Sequence, residues 1–161
     1  MPLAKQARSA QLISLSLLFI LLLAFIIRII ALGHESIWLD EAHSVWVAHM
    51  TPVEIVRSVA DDVHPPLYFL VLHYWILIAG DSEFAVRLLS VIFGCLSVAA
   101  IYLVGARLFD RATGLVCALF LALTRMHIEF SQEARMYSLL VLLTLLSVLF
   151  FLKLLESRSK R

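Results

Sequence analysis

The hydrophobic positions fall into four long blocks separated by polar stretches of unequal length. The first block occupies residues 11–32 and is interrupted only by Arg28 near its far end. The others cover residues 84–109, 112–128 and 136–155. Roughly 20 mostly apolar residues cross the hydrocarbon core of a bilayer, so each block predicts a transmembrane helix. The pattern is that of an all-α polytopic membrane protein, with about four spans in a single membrane domain over residues 1–161. Lys5 and Arg8 precede the first block and no A-x-A pattern follows it, which reads as an uncleaved anchor rather than a signal peptide. Asp81 and Ser82 offer N-caps for the second block.

One segment is ambiguous. Residues 65–80 are strongly apolar but short, begin with Pro65-Pro66 and carry His73 in their middle. Segments of that length are more often re-entrant or interfacial than spanning. Charge separates the alternatives. With four spans, the N-terminus, the loop at 107–111 and the C-terminal tail share one side. Together they hold Lys5, Arg8, Arg107, Arg111, Lys153, Arg158, Lys160 and Arg161 against Asp110 and Glu156. The long stretch 33–83 then lies opposite, with Arg57 as its one Lys or Arg among many carboxylates. This is the positive-inside distribution, and it puts the N-terminus in the cytoplasm of a cell whose inner (plasma) membrane holds the chain. A fifth span over 65–80 would place the basic tail outside.

Within the outer stretch 33–83, Leu39, Ala42, Val45, Trp46 and His49 repeat at helical spacing. Residues 39–49 can therefore lie on the membrane by an apolar face. Thr51-Pro52-Val53-Glu54 reads as a capping box with proline at the first helical position. Asp61 to Pro66 must run extended, since each proline disfavours helix in the residue before it. Trp38, Trp46, Tyr68, Tyr74 and Trp75 suit an interfacial aromatic belt. A second, short outer loop spans residues 129–135.

Composition agrees with a lipid solvent: 62% of residues are hydrophobic, against about 45–50% in soluble domains. The net charge of +1 leaves no basic footprint for nucleic acid. Cys95 and Cys117 sit inside apolar blocks and read as small hydrophobes.

Candidate chemistry gathers in the outer loops. His34, His43, His49, His64 and His73 all lie in the first, beside the adjacent carboxylates Asp40 and Glu41. Asp40 and His43 have the i, i+3 spacing that can share a divalent metal, although a metal site needs further ligands. Arg28, Arg87 and Arg125 lie near outer helix ends. Snorkelling accounts for each singly; with Arg135, the four around an acidic loop suggest an anion site.

Four motifs then form a series: Asp40-Glu41 after the first span, His64-Pro65-Pro66-Leu67-Tyr68, Ser82-Glu83-Phe84-Ala85-Val86-Arg87-Leu88, and Gln132-Glu133-Ala134-Arg135-Met136-Tyr137. In order and spacing they resemble the N-terminal half of polytopic glycosyltransferases with a GT-C fold. The nearest branch is similar to the bacterial relatives of dolichyl-phosphate-mannose protein mannosyltransferases and of the lipid A aminoarabinose transferase. The resemblance implies sugar transfer from a polyprenyl-phosphate donor to an acceptor on the extracytoplasmic side. It implies a catalytic carboxylate at Asp40 with Glu41 in support. His64, Arg87, Arg135, Glu133 and Tyr137 would handle the donor phosphate or organise the loop, with Arg135 or Glu133 standing in for an acidic residue of the second loop. His64 stands where the aminoarabinose transferases tend to carry lysine, and Val63 replaces the preceding glutamate, which argues against a family-like metal site there.

Members of that family carry many more spans, so the chain is expected to be a truncated product or a fragment, without turnover by itself. Two rivals follow. A non-catalytic membrane subunit could keep the fold and bind a partner's helices. A transporter fragment could also use intramembrane charges, but no interrupted helix pair or repeat is visible.

Overall fold

The computed structural model describes residues 2–60 and 64–159. Eight helices and no strand occur among them: α1 (Pro2–Ile29), α2 (Leu39–Ala48), α3 (Pro52–Ser58), α4 (Leu67–Ala79), α5 (Glu83–Leu108), α6 (Arg111–Leu123), α7 (Arg125–Ser131) and α8 (Tyr137–Ser159). Asp61, Asp62 and Val63, expected to run extended, lie outside the described residues.

Three helices are long and apolar enough to cross a membrane, within α1 (Ala10–Ile29), α5 and α8. The pair α6 and α7 makes a fourth if taken as one span. The chain is a multi-pass membrane protein. Helix α5 is the centre of the bundle, with half of its apolar window buried, whereas α1 and α8 are 17% and 22% buried and turn most of their surface outward. Its partners are α6, α8, α1, α7 and α4.

Local chemistry sets the boundaries. Ser82 caps α5 by accepting the Ala85 N–H at 3.3 Å. Asp110 caps α6 through the Thr113 N–H at 2.7 Å, so α5 and α6 form a tight hairpin. Gly105 and Gly114 let the two backbones touch: a Cβ on Gly114 would lie 2.6 Å from the Tyr102 carbonyl oxygen. The capping box at Thr51 forms, with the Thr51 N–H donating to Glu54 Oε2 at 2.9 Å. Helix α4 has 13 residues, about 20 Å at 1.5 Å per residue, against a hydrocarbon core of about 30 Å. It docks on the loop end of the bundle. Trp75 Nε1–H donates to the Ala85 carbonyl at 2.7 Å, and His73 Nδ1 bonds the Ala48 carbonyl at 2.8 Å. Ile55, Phe69, Leu72, Val86 and Ala134 fill the core between these outer helices and the spans.

The apolar block at 112–128 departs from the straight span expected of it. Thr124 is extended (φ −64°, ψ 113°), and the axes of α6 and α7 differ by 63°. Helix α7 continues to Ser131, so the loop expected at 129–135 begins only after it. Arg28 supplies the physical reason. Its guanidinium reaches from α1 to the carbonyls that the broken helix leaves open, Ala122 at 3.1 Å and Leu121 at 3.4 Å. It also donates to the Ala24 carbonyl (3.0 Å), His127 Nδ1 (2.7 Å) and Ser131 Oγ (3.4 Å). Arg28 is wholly buried, so it does not snorkel. Gly94 makes the room, because a Cβ there would collide with Ser131 Oγ and stand 3.3 Å from Arg28 Nε.

Candidate active site at the loop end of the bundle

Asp40 and Glu41 occupy the first turn of α2, where neighbouring side chains diverge by about 100°. One of the pair must therefore face the bundle when the other faces away. Glu41 faces in and is fully buried. Its Oε1 accepts from Arg87 Nε at 2.9 Å and from the Ala134 N–H at 2.8 Å. Its Oε2 accepts from Arg87 Nη2 at 2.6 Å and from the Trp38 N–H at 3.5 Å. Arg87 gives its remaining N–H groups to the carbonyls of Leu32 (2.9 Å), Glu35 (2.7 Å) and Ser36 (3.2 Å). All five guanidinium donors are thus placed. Burial alone would raise the Glu41 carboxyl; the Arg87 hydrogen bonds and charge, with the Ala134 and Trp38 N–H groups, outweigh it and hold Glu41 below the ordinary carboxylate value.

Asp40 faces away from that pair, with 46% of its side chain exposed. Arg135 stands beside it. Arg135 Nη1 donates to the Asp40 carbonyl at 3.1 Å, and Nη2 lies 3.9 Å from the Asp40 carboxylate and 3.4 Å from His64 Nε2. Its guanidinium also lies over the Tyr137 ring, 5.8 Å from the centroid, and that ring packs on Phe130 at 4.6 Å. Arg135 Nε is buried without a hydrogen-bond partner among the described residues. The segment is pinned behind by Ser90, whose Oγ donates to the Arg135 carbonyl at 3.3 Å and meets the Tyr68 hydroxyl at 3.2 Å.

Glu133 lies on the other side of Glu41. It lines a polar cavity of about 260 Å³ together with Glu35, Trp38, Arg87 and Gln132. Partial burial and the nearby Glu41 charge raise its carboxyl above the ordinary value, with Arg135 offsetting part of the effect.

The residues expected to cooperate divide into two groups. Asp40, His64, Arg135 and Tyr137 come together on one side, with Glu41, Arg87 and Glu133 next to them. Arg28 and Arg125 do not join. Arg28 is engaged in the spans, and Arg125 is exposed and paired with Glu129 at 2.7 Å. The Asp40–His43 pair lies at the start of α2, where the His43 ring packs near Trp46 and edge-on to Phe69; no cluster of three ligand-type residues occurs among the described residues. The expectation missed the Trp38 and Ala134 amides and Gln132, whose side-chain N–H donates to the carbonyls of Arg28 (3.1 Å) and Ile30 (3.2 Å). Backbone donors leave no mark in sequence, although Gln132 and Ala134 both belong to the motif that ends at Tyr137.

Residues 63–161 match the family model of dolichyl-phosphate-mannose-protein mannosyltransferase. The chain belongs to this family. The matched part contains His64, Arg87, Glu133, Arg135 and Tyr137, whereas Asp40, Glu41 and His43 precede it. No curated protein and no solved structure matches the chain. Membership makes the chain glycosyltransferase-like in general.

Proposed function

From that membership, we propose that the chain carries the catalytic loop of a glycosyltransferase that uses a polyprenyl-phosphate-linked sugar and serves an acceptor on the extracytoplasmic face. The observation that carries the reading is the division of labour between two adjacent carboxylates. Glu41 is consumed by Arg87, while Asp40 remains accessible beside Arg135 and His64. An accessible carboxylate can take the proton of an acceptor hydroxyl. The hydroxyl oxygen then bonds to the anomeric carbon as the bond from that carbon to the phosphate oxygen breaks. The departing lipid phosphate gains negative charge, which Arg135 stands ready to balance. Arg87 and Glu41 touch no reacting atom in this scheme; they hold α2 against α5.

The test is transfer from polyprenyl-phosphate sugars in membranes containing the protein, with Asp40→Asn. A general base contributes about a hundred- to ten-thousand-fold, so transfer should fall by about that factor with insertion unchanged. Near-normal transfer by Asp40→Asn would remove Asp40 from the chemistry. Because the chain is expected not to turn over by itself, the comparison is made where the chain, completed by partner helices, supports transfer.

The charge distribution supports a cytoplasmic N-terminus in an inner membrane. Cysteine at exposed Ser36, in a background with Cys95 and Cys117 replaced by alanine, should react with an impermeant thiol reagent in intact cells. Cysteine at exposed Ser157 should react only after the membrane is opened; the reverse pattern inverts the topology.

A further inference from the structure

Residues 132–136 lie between α7 and α8 and belong to neither helix. Ala134 and Arg135 are buried there, so their backbone groups need partners from elsewhere in the fold. The Ala134 N–H finds Glu41, and the Arg135 carbonyl finds Ser90 Oγ at 3.3 Å. A serine inside a helix commonly bonds the carbonyl four residues before it. Ser97, on the same helix, does so with the Phe93 carbonyl at 2.9 Å. Ser90 sends its proton out of α5, to Arg135.

Its neighbour on the other side explains the direction. A carbonyl only accepts and a hydroxyl has one proton, so Ser90 spends its proton on Arg135. The Tyr68 hydroxyl, 3.2 Å from Ser90 Oγ, is then the donor of that pair. Burial pushes the Tyr68 phenol up from its ordinary value, so it keeps the proton it donates. The bonds run one way, from Tyr68 to Ser90 to the Arg135 carbonyl. Tyr68 and Ser90 are 1% and 0% exposed, so neither reaches a substrate.

Tyr68 closes the stretch His64-Pro65-Pro66-Leu67-Tyr68. At the other end of it, His64 Nε2 accepts from Arg135 Nη2 at 3.4 Å. The two prolines between them have fixed φ, so the stretch is stiff. It holds Arg135 at both ends, the guanidinium through His64 and the backbone through Ser90.

We propose that Tyr68 and Ser90 are positioning residues for Arg135, whose hydrogen-bond chain fixes the Arg135 backbone so that its guanidinium stays between Asp40 and His64, within reach of a donor phosphate. The phosphate in that statement rests on the transferase reading; the chain of hydrogen bonds does not. Without the Tyr68 proton, the Ser90 hydroxyl turns back to its own helix and the Arg135 carbonyl loses its partner.

The test reads Arg135 directly, as the rate at which phenylglyoxal modifies each arginine of the whole chain in micelles, mapped by peptide mass. Arg125, with 91% of its side chain exposed, is the fast reference; Arg28 and Arg87 are the buried ones. Tyr68→Phe and Ser90→Ala should each speed modification of Arg135 about two- to tenfold, the range for one net hydrogen bond, and leave Arg28 and Arg87 unchanged. Because Tyr68 acts through Ser90, adding Tyr68→Phe to Ser90→Ala should change nothing more. Additive effects, an Arg135 rate indifferent to both single variants, or equal acceleration at all three buried arginines would overturn the chain. Should Ser90→Ala fail to fold, Tyr68→Phe decides by whether it speeds Arg135 alone. Binding of farnesyl phosphate to the same variants tests the phosphate separately, with its Kd expected to rise about two- to tenfold in Tyr68→Phe and in Ser90→Ala. A Kd that rises in Arg135→Gln but in neither of those two would overturn the positioning role. Binding unchanged in Arg135→Gln would remove Arg135 from the transferase reading, and the modification rates would still decide the chain.

Discussion

Two buried arginines organise this molecule in opposite ways. Arg87, at the loop end of α5, spends its charge on a carboxylate and its spare donors on three carbonyls of the segment that leads out of α1. Arg28, inside the bundle, meets no carboxylate; its partners are three carbonyls, a serine and a histidine. The first arrangement closes a tertiary contact between α2 and α5. The second completes a backbone that has been interrupted. A buried charge with a matched partner becomes a liability when either member is lost. A buried charge that serves carbonyls leaves only unsatisfied acceptors behind.

That difference predicts unequal costs. Glu41→Ala strands the Arg87 charge, and breaking a buried pair costs about 3–5 kcal/mol. The expected result is the largest loss in unfolding experiments in mixed micelles, with α2 released. The double change Glu41→Leu with Arg87→Met should recover part of the loss but not all. It still leaves the Ala134 N–H and the carbonyls of Leu32, Glu35 and Ser36 unpaired. A double variant no better than Glu41→Ala would show that the charge was not the issue.

Arg28→Met strands no charge; its penalty is about 1–3 kcal/mol for each buried acceptor that is left unmade. Its specific signature is geometric. With the Ala122 and Leu121 carbonyls open, the 63° angle between α6 and α7 should change, read as an altered distance between spin labels on exposed positions of the two helices. An unchanged distance would mean that Thr124 and its surroundings set the bend without Arg28.

How much of this was legible in sequence depends on what the signal was made of. The spans at α1, α5 and α8 announce themselves by length and hydropathy, and Ser82 and Thr51 announce their helix starts. The break at Thr124 was hidden because neither proline nor glycine marks it; the cause sits far away in the chain, on α1. Arg28 looked like a snorkelling side chain because sequence gives depth but not direction. Asp40 and Glu41 stood out as a pair, yet which of them faces inward depends on how α2 docks, and that is fixed by Arg87 and by a backbone amide at Ala134. The motif around His64 and Arg135 was visible as two separate stretches. Only folding sets Arg135 between His64 and Asp40.

The smallest effect is also the most discriminating, because two carboxylates in one site shift in opposite directions. Glu133 lies above the ordinary carboxylate value, raised by burial and by Glu41. Glu41 lies below it, held down by Arg87 and two backbone amides against the effect of burial. A carboxyl that is raised on folding binds its proton more readily in the native state, so stability should rise slightly as pH falls through the Glu133 value. A carboxyl that is lowered contributes stability above the unfolded value, about 4.5, and that contribution is lost as pH falls further through the folded value. Hydrogen exchange of the α2 amides, corrected for intrinsic rate, should therefore show a shallow gain in protection above about pH 4.5 and a steeper loss below it. Glu133→Gln should erase the gain and keep the loss. Glu41→Gln should erase the loss, at the expense of lower protection at neutral pH because Arg87 is then unmatched. A protection profile that falls monotonically from neutral pH in the unaltered protein would mean that Glu133 is not raised, and that the cavity beside Glu41 is wetter than its lining implies.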